Sequence, residues 1–539
     1  MTKNVMMIEK EANVGLKART VLWYLTFFGF AINYIIRINI SIAIVDMINP
    51  NYKRSSSNRT IITSECIVVS NTSNSPELSN ESNLEGNLKY VSIERRLLDF
   101  LEIDYDPKGF QWDEHQQSKV LGSFFWLHWV TQVPGGIFAA RYGTKFVFGF
   151  ANFIACLMCF FMPIVCYLDY RWMVAFRLVQ GFIAGVAWPA MHHLTGKWIP
   201  PNERSKFVTA YLGSSIGVAV AYPIFGFIIK ASSWEWVFHS CGIAGSIWFI
   251  FWLYYVYDSP ENHPRIHAKE KEYILKCLGS SVIQNSKEKR NVPWKAILTS
   301  KVVWINTLAQ WGGIWGLFTL LTQAPTYFRF IHGWGIEMTG ILSGLPHLMR
   351  VGFSMAFSSL GDYLLSTNKM SRNNVRRLAA FFSLVLNGFA VLAMAYTGCS
   401  VTTAVLFYTM SLSLHGAVST GALSSIVDIA PNYAGITMGL TSSIAIISGF
   451  VSPIVVGYMT FENQSIVAWQ HIFQLCAAML FVTGIIYIWF NDTSIQPWNK
   501  IKQDSEPPKE LLPLYLELDD CETKKMIKKE NELEMNTRS

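Results

Sequence analysis

"INYIIRINIS", Ile32 to Ser41, sets an arginine in the middle of an apolar run that extends from Val21 to Met47. The run is long enough to cross a bilayer as helix, since a hydrocarbon core needs about 20 apolar residues. A cation halfway along such a helix costs about 2.5–3.5 kcal/mol on insertion scales and more in simulations. Arg37 therefore needs protein partners or a watery cavity to face, and the remaining sequence has to supply one or the other.

Outward from this run, the composition is that of a membrane protein. The chain has 539 residues, 51% hydrophobic and only 15% charged, where soluble domains carry about 25% charged residues. Its mean hydropathy is +0.27. Nineteen Trp and 36 Phe suit the membrane–water interfaces where aromatics gather. The net charge of +7 reads first as a statement about orientation, and no basic block interleaved with aromatics points to nucleic acid. The nine cysteines show neither metal-ligand spacing nor a disulfide framework; Cys156, Cys159 and Cys166 read as packing residues. The first apolar run is too long for a cleavable signal peptide and has Arg37 inside it.

Twelve runs of spanning length follow one another, at 21–46, 116–139, 146–168, 172–194, 207–230, 236–257, 302–327, 338–360, 376–397, 401–427, 435–459 and 470–490. They predict an all-α membrane protein with a six-helix bundle at 21–257 and a second at 302–490. A basic linker at 258–301 joins the halves, and polar tails flank them at 1–20 and 491–539. An even number of spans puts both termini on one side. Lys3, Lys10, Lys17, Arg19, Arg141, Lys145, Arg204, Lys206, the basic linker, Lys369, Arg372, Arg376 and Arg377 all fall on that side, which the positive-inside rule makes cytoplasmic. The long outward loop, 48–115, then carries acceptor sequons at Asn58, Asn71 and Asn80, with a fourth at Asn463 in the last outward loop, where glycosylation is expected. The C-terminal tail is polar and mixed in charge, a composition that predicts disorder. It includes Tyr515-Leu516-Glu517-Leu518, a short pattern of the form read by endocytic sorting machinery. The stretch Leu121–Lys145 also has a faint echo at Leu342–Leu365, in the matching place of the second half. Repeats of this kind in transporters place the substrate site between them near mid-membrane.

Several motifs narrow the reading. "GGIFAARYGTK" resembles the loop signature between the second and third helices of the major facilitator superfamily. "RINISIAIVDM", "WDEHQQSKVLGSFF", "TQVPGG", "GKWIPPNERS", "DSPENHPRI", "EKEYI", "VPWKAIL" and "DIAPNYAGI" together resemble solute carrier family seventeen. That family includes sialin, the vesicular glutamate transporters and the type I sodium–phosphate cotransporters. The resemblance runs from about Val21 to Trp498. It implies a secondary transporter of small organic or inorganic anions. Sialin-type members imply proton-coupled export from lysosomes, glutamate-type members potential-driven transport sensitive to chloride, and phosphate-named members sodium-dependent uptake or potential-driven efflux.

The resemblance also implies roles for particular residues. Arg37 matches the arginine of the family's first helix and Arg177 that of the fourth. A guanidinium offers a planar fork of donors suited to carboxylate or phosphate. Arg350, in "LPHLMRVG", lies near the centre of the eighth helix, where the family pattern has no arginine; the seventh-helix arginine of glutamate-type members is Gly313 here. The expectation is that Arg37, Arg177 and Arg350 bind the anion, with Arg350 supplying charge that others place elsewhere. The spans hold these arginines with His128, His192, His193 and His347, and no Asp or Glu at mid-depth, so a cavity lined this way attracts anions. The fourth-helix glutamate of proton-coupled members is replaced by Ala184, and an upstream acid by Gln180. Alanine cannot titrate, which argues against proton coupling through this helix. His128, His192 and His347 remain candidate proton or polar sites, since histidine titrates near neutral pH. Ser425 and Ile426 replace the usual Asn and His of the tenth helix, and Ala140 the usual acid of the loop signature. Gly136, Arg141, Gly143 and Lys145 read as a cytoplasmic latch between helices, and Gly135 and Gly136 as sites of close helix packing.

The function expected is alternating-access transport of a small anion, driven by sodium or membrane potential. A proton-coupled symporter of acidic sugars or carboxylates is the second reading. A transport-inactive receptor or scaffold is the third, against which stand three arginines kept inside the membrane. No Walker sequence supports ATP-driven transport, and no constellation supports an enzyme, a metal site or a cofactor. The expected partners are the anion, a coupling ion (sodium or proton) and the bilayer of the plasma membrane or of a lysosome or vesicle.

Overall fold

The computed structural model describes residues 17–48, 66, 96, 109–199, 207, 209–276, 292–430 and 433–499. The sequons at Asn58, Asn71 and Asn80, Arg204 and Lys206, part of the linker, most of both tails and the Tyr515 pattern lie outside these residues.

All regular structure among the described residues is helical, apart from one bridge between Ile48 and Phe110. Eight described helices are long and apolar enough to cross a membrane, or nine if the bent pair Thr144–Cys159 and Met162–Leu168, at 49°, is one span. Helices Lys301–Phe330 and Ile336–Ser366 are 30 and 31 residues long and unbroken. The first of these turns polar side chains inward: Thr307, Gln310, Thr319, Thr322 and Gln323 are buried along it, which lowers its apolarity. The expected span 116–139 forms two pieces, Glu114–Trp126 and Gln132–Tyr142, separated by a turn. The first piece starts where the sequence signals a start. Asp113 accepts from Gln116 N at 2.7 Å, and Gln116 returns a bond to Asp113 N at 3.1 Å, a capping box that satisfies two otherwise orphaned donors.

Glycines set the distances between helices. A side chain at Gly340 or Gly344 would meet the backbone oxygens of Tyr222 and Ala219 at 2.5 and 2.7 Å, so Ile336–Ser366 lies directly on Gly213–Ala231. Gly457 sits on Ser118 and Gly122 faces Phe450 at 3.3 Å, which closes Ser448–Met459 against Glu114–Trp126. Lys230 pairs with Glu337 at 2.8 Å. Each of these contacts joins a helix of the first half to one of the second. Most cluster toward the end of the bundle remote from Ala18, and there the two halves are shut. At the opposite end each half carries an ion pair or cap of its own. Arg376 Nε meets Asp428 at 2.8 Å in the second half, and Lys145 N donates to Asp258 at 2.8 Å in the first.

One expectation about cysteine is overturned. Cys66, in the 48–115 loop, is bonded to Cys399 between two helices of the second half, 333 residues away in sequence. The spacing of the nine cysteines gave no hint of it, because a bridge between distant loops leaves no local pattern. Cys156, Cys159, Cys166, Cys241 and Cys476 are free and buried, as packing residues are.

Candidate functional site

Arg37 lies within the 30-residue helix Ala18–Met47 and is 3% exposed. Its Nη2 donates to Asn33 Oδ1 one turn earlier at 2.6 Å, and Asn33 in turn donates to Asn152 Oδ1 at 2.8 Å. The guanidinium carbon stands 4.5 Å from the Tyr34 ring centre and 5.6 Å from that of Phe124. Nε has no hydrogen-bond partner. Arg37 is therefore held by one hydrogen bond and aromatic faces, and among the described residues no carboxylate pairs with it.

Arg177 is built differently. It is fully buried, and Nη1 donates to Ile36 O at 2.7 Å, Gln180 Oε1 at 3.1 Å and Asn39 Oδ1 at 3.3 Å. Nη2 donates to Arg37 O at 2.9 Å. The Gln180 amide is anchored on Ala155 O at 2.7 Å. The expectation that Arg177 binds substrate meets a guanidinium whose terminal nitrogens already serve protein acceptors, two of them backbone carbonyls of the Arg37 helix. Phe124 also lies 5.1 Å from the Arg177 guanidinium carbon, so the two cations share one ring.

Arg350 sits mid-way along Ile336–Ser366, and Nη1 reaches Ser215 Oγ of the first half at 3.4 Å. Tyr34 interacts electrostatically with both Arg350 and Arg37. Arg350 of the second half thus bonds to the first half, in which Arg37 also lies. No carboxylate pairs with Arg350 among the described residues.

The histidines divide. His128 faces Gly181 O through Nδ1 at 3.1 Å, so Nδ1 carries the proton and Nε2, which has no partner, is an acceptor in the neutral ring. His347 and His415 are 1% and 4% exposed, and none of their four ring nitrogens is hydrogen-bonded. His415 was missed in the sequence, although an imidazole inside a spanning run is the same signal that marked His347. His192 is exposed beside Tyr211 and Trp188, with ring centres at 5.1 and 6.5 Å. Those rings continue through Phe30, 4.5 Å from Tyr211 and 4.7 Å from Trp188, in an aromatic series that reaches Tyr34. His193 instead meets Thr144 Oγ1 at 3.2 Å.

The expected latch is part of a larger cluster. Gly143 has φ +88°, a conformation costly for other residues, and a Cβ there would collide with the Asp258 carboxylate. Asp258 caps the helix that starts at Thr144, and Lys145 Nζ lies 4.1 Å over the Tyr257 ring. Asp258, the first residue of "DSPENHPRI", thus brings a carboxylate to Gly143 and Lys145, in a loop whose own acid position is Ala140. Arg141 is exposed and lies over Tyr142 at 5.5 Å. Of the paired glycines, only Gly135 is tightly packed, with Val186 Cα 2.7 Å from where its Cβ would lie; Gly136 has room, at 3.7 Å from Pro189.

Comparison with known proteins agrees with this architecture. The Major Facilitator Superfamily profile matches residues 26–453. Sialin of Ovis aries is 34% identical over 488 residues, covering 90% of this chain and 92% of sialin. Vesicular glutamate transporter 1 of Bos taurus is 31% identical, over 91% of this chain and 80% of the relative. Among solved structures, the proton:xylose symporter XylE superimposes with a TM-score of 0.56 at 14% identity, covering 88% of this chain and 97% of XylE, a likeness of fold. These relatives are transporters, not enzymes. The chain belongs to the major facilitator superfamily and, within it, to solute carrier family seventeen, the family of sialin and the vesicular glutamate transporters.

Proposed function

We propose that the chain moves a small organic or inorganic anion across a membrane by alternating access. The observation that carries this reading is that Arg37, in a helix of the first half, and Arg350, which reaches from the second half to Ser215 of the first, have no carboxylate pairing with either among the described residues. Two cations left unneutralised inside a membrane protein call for a mobile anion between them. A site split between the halves also couples binding to their motion, because the anion bridges them only when both approach it. Arg177 then acts by holding the backbone of the Arg37 helix in place.

In this reading the chain crosses the membrane twelve times with both termini cytoplasmic, in two halves at 21–257 and 302–490. The shut end, with Lys230–Glu337, is the outer end, and the conformation is inward-facing. Asn463, exposed after a turn, is then a glycan acceptor along with Asn58, Asn71 and Asn80. The Gly143–Lys145 cluster with Asp258, and Arg376 with Asp428, brace the cytoplasmic ends of the two halves. The membrane is the plasma membrane or that of a lysosome or vesicle.

Sodium or membrane potential drives the cycle, since Ala184 and Gln180 leave the fourth helix no carboxylate to carry a proton. The test uses purified protein in liposomes, with labelled phosphate and a panel of carboxylates, under separate sodium, proton and potassium-diffusion gradients. Uptake driven by sodium or potential and indifferent to a proton gradient supports the reading. Uptake that requires a proton gradient moves coupling to an imidazole, of which His128 shares the Phe124 ring with Arg37, at 5.5 and 5.6 Å.

A further inference from the structure

The motif "VPWKAIL" lies outside the anion site, at the entry to the second half. It forms the short helix Trp294–Thr299, which passes through Ser300 into the long helix Lys301–Phe330. Ile297 alone is buried in the short helix. Its outward side chains form two rows. Trp294 and Leu298, each 44% exposed, lie one turn apart, and Lys295 and Thr299, also exposed, lie one turn apart beside them. The Trp304 indole donates to Leu298 O at 2.7 Å. That bond joins the apolar row to Trp304 and Leu308, which are exposed on the long helix on the side away from buried Asn306 and Gln310. Lys301, one turn before Trp304, is exposed on the same face. An open recess of about 620 Å³ adjoins the short helix, with Trp294 and Lys295 on its border.

Neither lysine has a carboxylate partner among the described residues, and no Asp or Glu occurs from position 292 to 336. Tryptophan favours the membrane–water interface. A lysine there lays its stem along apolar surface and lifts its ammonium to the level of the headgroups. The apolar row continues the outward face of a spanning helix, so the lipid that covers Leu308 is placed to cover Trp304, Leu298 and Trp294 as well. The two unpaired ammoniums beside that row call for negative charge in the same lipid. We infer that the short helix and the first turns of the long one form a binding surface for anionic phospholipid of the cytoplasmic leaflet. Lys295 and Lys301 meet the charged headgroup, and Trp294, Leu298, Trp304 and Leu308 meet the first carbons of the acyl chains. The bound lipid fixes the level at which the second half enters the membrane. The choice of leaflet rests on the orientation proposed above, with the linker at 258–301 cytoplasmic.

The experiment follows the thermal unfolding midpoint of the purified full chain in detergent, titrated with phosphatidylserine or phosphatidylcholine of the same short acyl length. The wild type should reach half its shift at a phosphatidylserine concentration about tenfold below that of phosphatidylcholine. A lysine near an anionic membrane surface contributes about fivefold in affinity. Lys295→Gln with Lys301→Gln should therefore weaken phosphatidylserine about twentyfold and leave the phosphatidylcholine titration in place. Trp294→Gln with Leu298→Gln should weaken both lipids alike. Lys369→Gln, at another exposed lysine of the second half, should change neither titration. Equal titrations of the wild type by the two lipids overturn the inference without any variant. So does a loss from Lys369→Gln as large as that from the lysine pair, or equal stabilisation by phosphoserine, which would make the ligand a free anion. Orientation is tested apart from the lipid. Thr299→Cys should resist an impermeant maleimide in intact cells and react once the plasma membrane alone is permeabilised. Labelling of intact cells, or labelling only after all membranes are dissolved, would overturn the cytoplasmic placement and the choice of leaflet, while the titrations still decide the lipid.

Discussion

Arg37 and Arg177 are both intramembrane arginines of the same half, yet their substitutions should have opposite consequences. Replacing Arg37 by Met removes one charge-assisted hydrogen bond, to Asn33 at 2.6 Å, and the aromatic contacts with Tyr34 and Phe124. At the lower figure for a charged group the bond contributes about 1.5 kcal/mol, and a desolvated cation–π contact about 2 kcal/mol. Against this, the charge no longer has to be kept in the membrane, a relief of about 2.5–3.5 kcal/mol. The two nearly cancel, so Arg37→Met should unfold within about 1 kcal/mol of the wild type while losing anion uptake. Arg177→Met gives up four such bonds. Even at about 1.5 kcal/mol each they exceed the same relief, leaving a net loss of about 3 kcal/mol, in line with breaking a buried ionic network. Its signature is a fall in unfolding midpoint, with the ligand affinity of the protein that remains folded altered less than by Arg37→Met. The assay is thermal unfolding of both variants side by side, paired with uptake into liposomes. A midpoint for Arg37→Met as low as that of Arg177→Met, with uptake retained, would refute the division of labour between the two residues.

Other consequences follow from the shut end and the latch. Lys230→Glu should repel Glu337 and open the far end, so that Ser118→Cys, now under Gly457, reacts faster with an impermeant maleimide. The double exchange Lys230→Glu with Glu337→Lys should restore slow labelling, and equal rates in all three would show that the ion pair does not hold this end. Gly143→Ala should destabilise by about 1–3 kcal/mol, given φ +88° and the Asp258 carboxylate in the way. Adding Asp258→Ala should recover only part of that loss, because the backbone strain remains, and full recovery would argue that collision alone sets the effect. Peptide mass mapping without reductant should find the Cys66 and Cys399 peptides linked, and Cys399→Ser should leave Cys66 free to react.

The helical plan was legible because its signals are local. An apolar run of some 20 residues, a capping box at Asp113 or an arginine inside a span needs no knowledge of the remaining chain. The sequence also named Arg37, Arg350 and His347, the last two a turn apart on one helix. What stayed hidden depends on distance. The bonds of Arg177 to carbonyls of the first helix, some 140 residues earlier, leave no mark in the sequence around it. His415 is placed by its neighbour Gly416, which packs on Arg350 O some 65 residues earlier, a contact that no local pattern announces. Asp258 sits in a linker motif, and its contact with Gly143 comes from helix ends meeting across more than 100 residues. The interruption of the 116–139 span was missed because helical periodicity does not register a single turn of misaligned hydrogen bonds.

The bond between Cys66 and Cys399 also bears on how the molecule is made. Its two ends are separated by 333 residues, and synthesis proceeds at about 5–20 residues per second. Cys66 therefore leaves the ribosome roughly 20–60 s before its mate exists, and through that interval the thiol is open to glutathione or to another chain. Once sealed, the bond turns the chain into a covalent ring that includes the linker. A protease that cuts the linker would leave the two halves joined, and they would part only on reduction.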